Sequence, residues 1–88
     1  MSLWMKTNEK EVYMNINGEV CLEHMEFLQN KLMDRLQYGY RRIILDITDV
    51  KRFDHAGIPM LKAIAEQMLK RGGELIIKDK NGVVEQFV

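Results

Sequence analysis

The chain has one cysteine, one proline, one tryptophan and two histidines, and no excess of either charge. Each scarcity closes a class of function. Cys21 alone builds neither a disulfide framework nor the paired spacing of a zinc–thiolate site. Within Val20-Cys21-Leu22 it reads as a small core residue. His24 and His55 stand far apart with no carboxylate at ligand spacing, so no metal site is expected, and no other cofactor either. Thirteen basic and thirteen acidic residues cancel, which removes the field that draws nucleic acid or an anionic membrane. The nearest basic cluster is Arg41-Arg42 with Lys51-Arg52, and Asp46, Asp49 and Asp54 interleave with it as a solvated mixed face. No apolar run approaches the roughly 18 residues of a membrane span. No secretory signal is visible, so a cytoplasmic location is expected.

What is present fits one small domain. Eighty-eight residues, 47% of them hydrophobic, can bury roughly 60–65% of the unfolded surface around a single core. Residues 1–10 read as a flexible lead, in which the second methionine at position 5 allows the first four residues to be an expression scar. From Glu11, the alternation of Val12, Met14 and Ile16 predicts a strand. Asn17-Gly18 then predicts a tight turn into an antiparallel partner, Glu19–Leu22. Met25, Leu28, Leu32 and Leu36 form a helical stripe, widened by Phe27 and Met33 and closed by Gly39. That helix offers no Ser, Thr, Asp or Asn as an N-cap.

Ile43–Ile47 is apolar on both faces except at Asp46, which predicts a central strand covered on two sides. A charged loop follows and turns at Asp54-His55-Ala56-Gly57 into an amphipathic helix. Its apolar face is expected to carry Ile58, Leu61, Ile64 or Ala65, Met68 and Leu69. Pro59 is tolerated only in a first turn, so regular helix begins near Ala56 or Gly57. Gly72-Gly73 ends it, and Glu74–Lys78 predicts a strand parallel to Ile43–Ile47 with a right-handed crossover. Asp79 to Gly82 is a turn, and Val83, Val84 and Phe87 suggest a short closing helix. The expected architecture is α/β (α+β by some schemes): one mixed sheet, helices mainly on one face, in the order β-β-α-β-α-β-α. A strand feeding a helix through a polar corner leaves unpaired N–H donors and a positive dipole end there, so the corner is the candidate site.

With those residues in view, the chain over roughly Val12 to its C-terminus resembles a STAS domain. That family comprises anti-sigma-factor antagonists and regulatory modules attached to anion transporters. The resemblance rests on Gly18-Glu19-Val20, on Arg42 to Ile47, on Val50 with Phe53-Asp54-x-x-Gly57-Ile58, and on Gly72-Gly73-Glu74-Leu75. It implies a non-catalytic, protein-binding regulatory module active in partner switching. Its docking residues would be Asp54, His55, Ala56, Gly57 and Ile58. In the antagonists, an Asp-Ser-x-Gly motif docks onto an anti-sigma factor that is also a kinase, and phosphorylation of the hydroxyl ends the association. A phosphate adds roughly −1.5 to −2 charge at the contact. Here Asp54 and Gly57 match, but His55 stands where the hydroxyl belongs, with Ala56 after it. The resemblance therefore implies no phosphorylation at the family position. Family members also continue past the third helix with another strand and helix, so a free sheet edge is expected here, open to a partner or a second copy.

Other readings are weaker on the residues. Within the family, the module would instead be an accessory subunit steadying a transport ATPase, a role that needs no hydroxyl. A receiver-like domain would use Asp46 as phosphoacceptor beside Mg²⁺. It would need an acidic pair after its first strand, where Asn17-Gly18 stands. An enzyme built on Asp54 and His55 lacks a nucleophile paired with them. No catalytic residue is assigned.

Overall fold

The computed structural model describes residues 1–82. Strand β1, Ser2–Thr7, opens the chain and pairs antiparallel with β2, Glu11–Val20. This replaces the flexible lead expected over residues 1–10. It also relocates the tight turn from Asn17-Gly18 to Asn8-Glu9-Lys10. There the Asn8 side chain accepts hydrogen bonds from the N–H groups of Lys10 and Glu11, both at 2.9 Å. An Asn carbonyl oxygen capping its own turn is the device that makes this residue a turn former.

No hairpin forms at Asn17-Gly18. β2 runs straight through them, with Gly18 at φ +86° inside the strand. The core-facing residues Val12, Met14, Ile16 and Val20 keep strict period two across that point. A two-residue turn would have put Glu19 on the core face and Val20 outside.

A 3₁₀ turn, Leu22–His24, leads into α1, Met25–Tyr38, which buries the expected stripe of Met25, Leu28, Leu32 and Leu36. Phe27 is not part of it. It is exposed, with the Lys31 ammonium 5.4 Å from its ring centre. Gly39 closes the helix in the left-handed conformation, at φ +101°.

Strand β3, Arg42–Phe53, is 12 residues long. The charged loop expected after Ile47 is its second half. Core-facing residues fall at Ile43, Leu45, Ile47, Val50 and Phe53. The spacing widens from two to three because β3 carries an extra residue opposite β2 at two places, between Asp46 and Asp49 and between Val50 and Arg52. Such bulges keep the strand paired while re-aiming its side chains. Helix α2, Gly57–Lys70, buries Ile58, Leu61, Ile64 and Met68, whereas Leu69 is exposed. Strand β4, Glu74–Lys78, ends the sheet.

The order is β1-β2-β3-β4, with β2, β3 and β4 parallel. Two successive right-handed crossovers in one direction put α1 and α2 on the same face. The other face has no helix among the described residues, so β3 is covered on one side and not two. The closing helix expected at Val83–Phe87 lies outside the described residues.

Candidate functional site

The corner is held from beneath and presented above. Phe53 ends β3 in the core, and the next N–H, of Asp54, bonds to the Val20 carbonyl at 2.9 Å, tying the corner to the end of β2. Asp54 then folds the chain over itself. Its Oδ1 accepts from Ala56 N at 2.9 Å, and its carbonyl accepts from Gly57 N at 2.9 Å. Ile58 N reaches the His55 carbonyl at 3.0 Å, and Pro59 has no N–H to satisfy. The donors expected to stand unpaired are thus consumed by the turn, and the corner is no ready cradle for an anion. Regular helix begins at Gly57, within the limit that Pro59 set.

The five residues named from the sequence divide in two. His55 and Ala56 are exposed and Asp54 is half-exposed, while Gly57 and Ile58 are buried. Gly57 sits against the Phe53 ring so closely that a Cβ would overlap it, and that Cβ would lie 3.1 Å from the Met25 methyl. Gly57 and Ile58 therefore anchor the corner, and Asp54, His55 and Ala56 form its outer surface. Pro59 is exposed beside them and escaped the sequence reading, which treated it only as a constraint on the helix.

Asp46 lies well inside β3 on the uncovered face, not at the end of the strand. The Tyr13 hydroxyl donates to its Oδ2, and the Thr48 N–H donates to its Oδ1 at 3.0 Å. Burial pushes this carboxyl up, but the hydrogen bonds from Thr48 and Tyr13, with Lys78 nearby, outweigh it and hold Asp46 below the usual carboxylate range. The same bond to Asp46 raises the Tyr13 phenol. Asp46 is thus an ionised acceptor with both oxygens engaged, far from the corner. Sequence reading missed the Tyr13–Asp46 pair. The available signal was two polar-capable residues at the same phase on neighbouring strands.

Among the described residues no three of His, Cys, Asp or Glu gather around one point. The four basic residues part along β3: Arg41-Arg42 at its start, Lys51-Arg52 at its end. Arg42 is paired with Glu74 at 3.2 Å and Glu11 at 3.5 Å. A concavity of about 630 Å³ beside Asn8, Lys10 and Arg41 lies at the opposite end of the sheet from the corner. At the corner, His55, Ala56 and Pro59 are exposed. No helix among the described residues is long and apolar enough to cross a membrane.

Among solved structures, the anti-sigma factor antagonist SpoIIAA in its unphosphorylated form superposes with a TM-score of 0.85 at 14% identity, over 98% of this chain and 76% of that one. An anti-sigma factor antagonist from Mycobacterium paratuberculosis gives 0.82 at 13% identity, over 97% and 72%. Mglu gives 0.78 at 18% identity over 92% of this chain, which spans only 20% of the Mglu chain. At these identities the likeness is one of fold. No curated protein sequence matches the chain. The family model for the STAS domain matches residues 3–88, nearly the whole length, and this chain belongs to the STAS domain family.

Proposed function

We propose that this STAS domain is a non-catalytic regulatory module that works in the cytoplasm. It docks onto a protein partner through Asp54, His55 and Ala56, with Gly57 and Ile58 as the buried anchor. One observation carries the reading. An exposed turn has its backbone hydrogen bonds closed internally and its base tied to β2, so it meets a partner already ordered and loses little entropy on binding. The partner class that suits it is a kinase-like anti-sigma factor, by likeness to the antagonists. Because an imidazole and a methyl stand where the antagonists keep an alcohol, the association is not ended by phosphorylation at the corner. The same feature favours a second reading, an accessory role on a transport ATPase, in which the contact is permanent.

Capture from the source cell with the intact chain and with Ala56→Arg tests this. The expected outcome is a kinase-like or ATPase protein held by the wild type and lost at least about tenfold by the variant, since a buried unpaired charge is costly. No phosphate is expected on the corner after incubation with that partner and ATP. Equal retention by both forms, or phosphate mapped to residues 54–58, overturns the reading.

A further inference from the structure

We propose that His24 is a proton-sensitive latch on the start of α1. With no Ser, Thr, Asp or Asn at hand, the chain closes this helix entry by an exchange between Cys21 and His24. The His24 backbone N–H donates to the Cys21 carbonyl at 2.9 Å, and the Cys21 N–H donates to Nδ1 of the His24 ring at 2.9 Å. The first is the 3₁₀ turn's own bond, and the second is the half of a capping box in which the N3 side chain holds the N-cap N–H, with imidazole in the place usually taken by Glu or Gln. The substitution has a chemical consequence. Glu and Gln oxygens keep accepting at neutral and mildly acidic pH, whereas imidazole takes up a proton between about pH 5 and 8.

The accepted bond requires the neutral tautomer with its hydrogen on Nε2, which lies 4.0 Å from the Glu23 carboxylate. A proton from solvent goes to the Nδ1 lone pair. Nδ1–H then faces Cys21 N–H, donor against donor, and the ring turns out of the box. The latched form carries no proton on Nδ1, so falling pH favours the released form. The other charged or titratable groups at this end of the molecule include Cys21, Glu19 and Arg52 at the paired ends of β2 and β3, Glu26 in the first turn of α1, and Asp54 and His55 of the corner.

Release reaches the corner through Met25. This residue follows the latch directly, and its methyl packs on Gly57. Acid therefore loosens the inner wall on which the turn at Asp54–Ala56 rests. That last link rests on the function proposed above, but the latch itself does not.

Nitrogen-15 NMR of the full chain tests the latch without any partner. At about pH 7.5 the His24 ring is expected as the Nε2–H tautomer, and the Cys21 amide shift should follow the His24 titration down to about pH 5. Cys21 amide protection, corrected for intrinsic exchange, should fall several-fold over that range. In His24→Gln, which keeps an acceptor that does not titrate, the Cys21 amide should stay flat. An Nδ1–H tautomer in the wild type, a Cys21 amide indifferent to the His24 titration, or the same pH response in His24→Gln overturns the proposal. Failure of the capture experiment would leave these shifts unchanged, so the two ideas fail separately.

Discussion

Gly57 shows how one residue fixes the shape of the corner. A Cβ here would overlap Cε1 and Cζ of Phe53, itself 3% exposed and closed in by the core, so the ring has little room to yield if a methyl is added. Gly57→Ala should cost about 1–3 kcal/mol, the range for overpacking a well-filled site. Urea unfolding would show it as a lower midpoint at unchanged slope. Ala56→Gly, a residue away but exposed, should change stability by no more than about 1 kcal/mol. An unaffected Gly57→Ala would mean that Phe53 yields and that the corner is not clamped. His55 beside it is exposed, and its carbonyl accepts the Ile58 N–H at 3.0 Å.

At the scale of elements, β1 carries the sharpest expectation. Leu3 and Met5 oppose Ile16 and Met14 and pack on the core, and without them the edge of β2 would be bare. Deleting residues 1–7 should therefore destabilise the domain by at least about 2 kcal/mol through lost apolar burial alone. Chemical denaturation of the truncated chain reads this directly, and a neutral truncation would return these residues to the flexible lead expected from the sequence. The same elements show what was legible. The α1 stripe, the α2 start bounded by Pro59, and β4 at Glu74–Lys78 follow from period and punctuation, because there the local pattern and the tertiary packing agree. β2 and β3 were misread for opposite reasons. In β2 the Asn-Gly pair signalled a turn, while the unbroken phase from Val12 to Val20 signalled a strand, and the strand's core contacts won. In β3 the two bulges shifted the apolar phase, so Thr48 to Arg52 looked like loop although the ladder to β2 persists. At the corner, residue types gave the turn from strand to helix, which the structure has between Phe53 and Gly57. They did not reveal that Gly57 and Ile58 turn inward, since that depends on Phe53 and Met25 arriving from other elements.

The described residues form a four-stranded sheet with two helices on one face and none on the other, and with the exposed corner where β3 meets α2. Two other surfaces are alternatives to the contact proposed for the corner. One is the open face, where Trp4 is 52% exposed with its ring 5.6 Å from that of Tyr13. The other is the outer edge of β4, which has no strand beside it among the described residues and offers a route to self-association. A kinase-like or ATPase partner is best distinguished from a second copy by where the amides move. The most direct measurement is therefore amide shift mapping of the labelled chain titrated with the partner it retains. The expected result is that shifts concentrate at residues 54–56 and at the start of α1, with Trp4, Tyr13 and β4 unmoved. Shifts centred on the open face or the β4 edge, with the corner silent, would contradict it.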